Sequence, residues 1–334
     1  MADDSKYAYA VARVRVLENR LLNKGQIDRM AEAPGAREAL QVLGETDYGS
    51  AVGELEDVHH FEDLLAAELG RVYGEVRRFY PEPRLIEALA AKYDVHNLKV
   101  LLKAEGMGKE AGEDLLYPEV GNIPLAKLQV MFATEDFRDL PCHLREAVEE
   151  VRAGWGENPD PQLIDIVLDG ALYRHIFTLI APIPFLEEFF THQANLINIK
   201  TFIRVQILKQ DEDFLHRVLL KGGDIPGHLF HELLPEPLEA LCDRLALSPY
   251  AQVVEEGLQE WQEKGRLTRL EKLADDFLLE FVRSHRHQPF GPQPLLGYLL
   301  AVENELKLIR IIMVGKLNHL PIEEIRERLR DVYV

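Results

Sequence analysis

Serine is nearly missing from this chain of 334 residues, occurring only at positions 5, 50, 248 and 284. With no Gly-x-Ser-x-Gly elbow either, nucleophilic catalysis has little to build on. Cysteine is confined to Cys142 and Cys242, without a Cys-x-x-Cys pair. That excludes a disulfide framework and suits a reducing cytoplasm. No Gly-x-x-x-x-Gly-Lys-Ser/Thr stretch occurs, so no P-loop for nucleotide is expected. His59-His60, His228-x-x-His231 and His285-x-His287 are short pairs with no third ligand at useful spacing, and His-Glu-x-x-His is absent. No catalytic residue, cofactor or metal is therefore expected. Long apolar runs are missing too. The longest uncharged run, Gln288 to Val302, holds three prolines and falls short of the ~20 residues of a membrane span. The opening MADDSKYAYA is acidic where a signal peptide would be basic, so a soluble chain is expected.

Basic clusters are also scarce. The net charge of −19 argues against nucleic acid as a partner, because phosphate neutralisation needs grouped Lys and Arg. The acidity is uneven: residues 265–334 carry 11 basic and 10 acidic side chains, the preceding 264 carry 27 and 47. Two ends with different neighbours and solvated helix faces both account for such a split. Apolar residues at 47% and charged residues at 28% fit a globular protein of two or three domains.

What is abundant is helical periodicity. Leu85, Leu89, Tyr93, Asn97, Val100 and Ala104 recur at spacings of three and four, one face of a helix. Pro83 suits its first turn and Gly106 its end. A second copy opens at Pro184 and runs through Leu186, Phe190, Asn198, Phe202 and Val205. A third opens near Pro292 or Pro294 and runs through Leu296, Leu300, Leu306, Ile309 and Met313 towards Gly315. Strand signals are thin, and the fold class expected is all-α.

The copies keep register. Pro83 to Pro184, Asp94 to Asn195, Asn97 to Asn198 and Lys99 to Lys200 are all separated by 101 residues. Lys307 lies 208 beyond Lys99, and Glu68, Asp169 and Asp276 correspond on the preceding helix. Ile123-Pro124, Ile225-Pro226 and Leu320-Pro321 each open an amphipathic run, while Trp155 and Trp261 close two corresponding stretches. Tyr48, Val52 and Glu54 match Tyr250, Val254 and Glu256 at a shift of 202. Three units are thus expected at 1–157, 158–264 and 265–334, with residues 1–57 completing the third in a pseudo-threefold arrangement. Units of about a hundred residues exceed ordinary solenoid repeats of 20–50.

The repeat signature, Pro83, Asn97, Lys99, Pro184, Asn198, Lys200 and Lys307, is read as structural. Asn97 and Asn198 on apolar faces are expected to bond across to neighbouring helices and fix register. The lysines, turned roughly 200° away, are expected to meet solvent or a partner. One enzyme reading competes. ADDFLLEF sets Asp275, Asp276 and Glu280 on a helix, as in magnesium-dependent isoprenoid synthases, with QDEDF at 210–214 as a second motif.

The start YAYAVARVRVLENRLL, the stretch ALQVLGETDYG, the three phrases and the ending ENELKLIRIIMVGKLNHLPIEEIRERL together carry a resemblance. They look like the C subunit of prokaryotic V/A-type rotary ATPases, a relative of the d subunit of the vacuolar pump. The resemblance spans nearly the whole chain. It implies a non-catalytic funnel of three related helical domains, peripheral to the membrane on its cytoplasmic side. Such a protein seats on the proteolipid ring, receives the central shaft of the ATPase head, and passes torque for ATP-coupled proton or sodium transport. A generic all-α scaffold remains the alternative.

Overall fold

Proline at one end and a left-handed turn at the other bound the long helices of this protein. The computed structural model describes residues 5–155 and 160–334; these form helices and loops, with no strand among them. In chain order the α-helices are α1 (Ser5–Glu18), α2 (Lys24–Glu32), α3 (Ala36–Gly44), α4 (Gly49–Gly53), α5 (Phe61–Phe79) and α6 (Pro83–Gly106). There follow α7 (Leu125–Thr134), α8 (Cys142–Ala153), α9 (Pro161–Ile180), α10 (Pro184–Ile207), α11 (Glu212–Val218) and α12 (Gly227–Leu233). The last are α13 (Glu239–Leu245), α14 (Ala251–Lys264), α15 (Thr268–Ser284), α16 (Gln293–Leu317) and α17 (Ile322–Arg328).

The three expected phrases are the long helices α6, α10 and α16. Pro83 and Pro184 stand at the first helical positions, where the missing N–H has no intrahelical acceptor to lose. In α16 Pro292 is the N-cap and Pro294 lies in the first turn. All three end alike. Gly108, Lys209 and His319 adopt φ of 62°, 53° and 55°. The next amide then reaches back five residues: Lys109 to Ala104, Gln210 to Val205 and Leu320 to Gly315, at 2.9, 3.0 and 2.9 Å. Gly315, towards which the third copy is expected to run, lies in the last turn of its helix. A glycine is needed there because Ile325 of α17 presses against it; an added Cβ would come within 2.7 Å of Ile325 Cγ1.

The same geometry corrects one alignment. Leu320-Pro321 follows the helix end directly, so it matches the short passage from α10 into α11. Ile123-Pro124 and Ile225-Pro226 come later, after a loop.

By packing, the chain forms two compact units, residues 1–81 with 242–334, and residues 82–241. In the first, α16 is the axis against which α1, α2, α3, α5, α15 and α17 pack. In the second, α6 packs on α9, α9 on α8 and α10, and α11 on α12. The expected segments 1–157, 158–264 and 265–334 concern repeats rather than packing, and their first boundary falls at residues 156–159, outside the described ones. Burial exceeds the single stripe read from spacing: 14 of the 24 residues of α6 are buried, so it is a core helix. Leu85, Leu98 and Leu102 are fully enclosed, each worth roughly 1.5–3 kcal/mol of apolar burial.

Candidate functional site

Among the described residues few polar side chains are buried, and those that are sit mid-length on the long helices: Asp94, Asn97, Asn195, Asn198 and Glu305. Each faces backbone that must be satisfied. The Asn97 amide donates from Nδ2 to Tyr117 O at 2.9 Å, and Tyr117 N donates back to Oδ1 at 2.9 Å. Asn198 repeats this with Leu220, at 2.9 and 2.8 Å. A side-chain amide has the donor and acceptor of a peptide group, so it pairs with one residue's N–H and C=O at once. The amides are buried and bonded as expected, but their partner is the loop 20 to 22 residues downstream rather than a neighbouring helix.

One helical turn earlier lies a second node, and there the two copies have exchanged residue types. Asp94 Oδ1 accepts from Ile123 N and its Oδ2 from Asn122 Nδ2, both at 2.9 Å. In the second copy Asn195 Oδ1 accepts from Ile225 N at 3.1 Å, while its Nδ2 donates to Asp224. Asp-with-Asn has become Asn-with-Asp. Either order supplies one carboxylate and one amide, and the helix residue keeps an oxygen for the incoming N–H. Gly121 and Gly223 precede these pairs because the loop passes against the helix; a Cβ would lie 2.4 and 2.3 Å from Asp94 Oδ1 and Asn195 Oδ1.

The third long helix differs. Glu305 stands 208 residues beyond Asn97, as Lys307 does beyond Lys99, yet sequence reasoning passes over it. The signal is available: Leu306-Lys307 follow Glu305 as Leu98-Lys99 follow Asn97. Its carboxylate accepts from Tyr48 Oη at 2.6 Å and from Leu22 N, two donors from the N-terminal segment. Burial pushes its pKa up to about 7, against the lowering by those hydrogen bonds. Val302 occupies the place of Asp94 and Asn195, so this helix has one node where the others have two.

Lys99 and Lys307, expected to meet solvent or a partner, reach carboxylates on the neighbouring helix of the chain itself. Lys99 Nζ lies 2.7 Å from Asp169 and 3.5 Å from Asp165 on α9, and Lys103 lies 2.8 Å from Asp165. Lys307 pairs with Asp275 of α15, which also receives Arg330 at 2.8 Å. Lys200 is half-buried. Helices packed side by side leave a long cationic side chain within reach of the next helix, which spacing along one helix cannot reveal. The expected counterpart of Asp169 also shifts by one: Asp275 meets Lys307, and Asp276 accepts from Asp331 N.

These contacts bear on the magnesium reading. Burial alone would raise the Asp275 pKa, but Lys307 and Arg330 outweigh it and hold the carboxyl below its ordinary value. Asp211 of the second motif caps α11 by accepting from Phe214 N at 2.8 Å. Both motifs are engaged within the fold. A broad recess of about 590 Å³ is lined by Lys24, Asp28, Lys272, Arg283, Arg326 and Arg330. Arg283, Arg326 and Arg330 there already pair with Glu280, Glu32 and Asp275.

Buried polar groups pin loops to the long helices of an all-helical fold, and among the described residues no helix is long and apolar enough to cross a membrane. The chain belongs to the ATP synthase (C/AC39) subunit family, whose model matches residues 10–328. It is 29% identical over 323 residues to the C subunit of the V-type sodium ATPase of Enterococcus hirae, covering 96% of this chain and 97% of that protein. It is 26% identical to the C subunit of the A-type ATP synthase of Methanocaldococcus jannaschii, covering 98% and 87%. With the A-type counterpart of Methanosphaera stadtmanae the identity is 24%, covering 97% and 87%.

Proposed function

We propose that this chain is the non-catalytic connector in the central stalk of a V/A-type rotary ATPase. It links the rotating shaft of the ATPase head to the membrane proteolipid ring and transmits torque between them. The observation that carries this reading is the pinning of the long helices at mid-length. A torque-bearing part must not yield between its attachments, and paired hydrogen bonds in a dry interior give each loop one position on its helix. Its relatives, named as subunits of a V-type sodium ATPase and of A-type ATP synthases, support the same role.

The reading divides the chain into three related helical units, with residues 1–57 completing the third. It is supported by Leu22 and Tyr48 bonding to Glu305, by Lys316 donating to Ala33 O at 2.5 Å, and by the Arg326–Glu32 pair at 2.6 Å. Partners are the shaft proteins and the proteolipid ring, at the cytoplasmic face of the membrane. Affinity capture from membranes in mild detergent tests this: shaft and proteolipid subunits should co-purify in stoichiometric amounts. Recovery of the chain without either would overturn it. Docking to the shaft is expected to weaken with salt, because the composition is rich in charge.

A further inference from the structure

Glu305 is acidic at a position that the two other long helices fill with a neutral amide. It is 7% exposed, and among the described residues no Lys, Arg or His forms an ion pair with it. Its two partners are both donors and both belong to the N-terminal segment: Leu22 N, between α1 and α2, and Tyr48 Oη, between α3 and α4. A small cavity beside it is lined by Leu22, Ile27, Asn304 and Tyr333.

We propose that Glu305 is a proton-operated pin, holding the N-terminal segment of residues 22–48 against α16 more firmly when the carboxyl is protonated than when it is charged. The reasoning does not depend on the rotary role. Undocking of the segment would give the carboxyl back to water, where it ionises freely; docking strips that water away and offers two hydrogen bonds but no cation. The charged groups that face it make ionisation harder still. Glu68 on α5 and Asp47 beside Tyr48 are both acidic. They are themselves paired, Glu68 with Arg71 at 2.7 Å and Asp47 with Arg20 at 3.8 Å. Tyr298 on its own helix, Tyr48, and Tyr333 of the C-terminal segment are phenols that stay neutral near pH 7, each pushed above its ordinary value by burial.

The geometry accommodates both protonation states. Leu22 N can only donate, so it keeps one carboxyl oxygen in either state. The Tyr48 hydroxyl can turn from donor to acceptor, receiving the new O–H when the other oxygen is protonated. The two amide-bearing helices have no such freedom, since Asn97 and Asn198 do not titrate.

The direction follows from linkage. The docked carboxyl has a pKa of about 7 against an ordinary 4.5. Protons are therefore bound more tightly in the docked state, and the opening equilibrium rises as pH climbs from 4.5 towards 7, then levels off. The full excursion is about 300-fold, roughly tenfold for each pH unit inside that window.

Hydrogen exchange of the full chain, corrected for intrinsic rates, tests this on the amides of α2 and α3 from pH 5 to pH 8. The expected result is protection that falls from pH 5 to about pH 7 and then levels off in the native chain, and stays flat in Glu305→Gln. Tyr48→Phe removes one donor to the charged form and should move the transition to higher pH. The infrared C=O stretch of a protonated buried carboxyl, present at pH 5 and lost in Glu305→Gln, reports the proton directly. Protection independent of pH in the native chain, or the same pH dependence in Glu305→Gln, would overturn the proposal. If Glu305→Gln fails to fold, an unshifted transition in Tyr48→Phe overturns it alone.

Discussion

The helices α6 and α10 pin their loops with amides, whereas α16 uses a carboxylate. Asn97 and Asn198 each grip one downstream residue by both backbone groups, so the node is neutral and closes on nearby chain. Glu305 grips two donors from residues more than 250 positions away in sequence. A local loop can present N–H and C=O of the same residue side by side, which suits an amide. A distant segment arriving against α16 presents an N–H and a phenol, which suits a carboxyl: one oxygen accepts from the N–H, and the other meets a hydroxyl able to donate or accept. The difference teaches that the position is retained for burial and reach, while the residue type follows what the incoming chain offers.

The comparison is broken most severely by removing the amides. Asn97→Leu and Asn198→Leu each strand a buried N–H and C=O, at about 1–3 kcal/mol per group, so each should lose roughly 3 kcal/mol in a urea titration. Coupling measured on the fraction still folded should be intact; lost coupling at unchanged stability would turn these residues from structural to functional. Next in size is the carboxylate. Its pKa of about 7 in place of 4.5 means stability contributed by the protonated form, present below pH 4.5 and lost as pH rises to 7. Glu305→Gln should therefore gain on the native chain by on the order of 3 kcal/mol between pH 4.5 and pH 8, seen as a widening gap in unfolding free energies.

A finer test uses the reciprocal pair. Asp94→Asn should cost about 2 kcal/mol, and adding Asn122→Asp should recover much of it by recreating the arrangement of Asn195 with Asp224. A double-mutant cycle with no coupling energy would show that the exchange of residue types is incidental. The smallest effect is expected from Lys99→Ala. Its partner Asp169 is 48% exposed, so the loss should be about 1 kcal/mol or less and shrink in high salt.

Much of the fold is legible in the sequence because helix ends are local chemistry. Pro83 and Pro184 announce first turns wherever they stand in a helical pattern, and the 101-residue register carries the two asparagines into the same structural role. The carboxylates that Lys99 and Lys307 reach are not legible, because azimuth on one helix is silent about the neighbour that packs beside it. Leu320-Pro321 pairs with the wrong loop because a dipeptide match ignores the left-handed residue before it, His319. Glu305 escapes notice because a charged residue does not look like a copy of an asparagine until its partners are seen.

By itself the sequence determined that this chain is helical, that three long helices repeat one pattern, and that polar residues sit at fixed places on them. Those features follow from periodicity, proline and spacing, which act over a few residues. Only tertiary structure decided what the polar residues grip: Tyr117, Leu220, and for Glu305 the pair of Leu22 and Tyr48. Hydrogen-bond partners and the dielectric around a carboxyl depend on which segments meet in space, and that is fixed by packing of the whole chain rather than by any stretch of it.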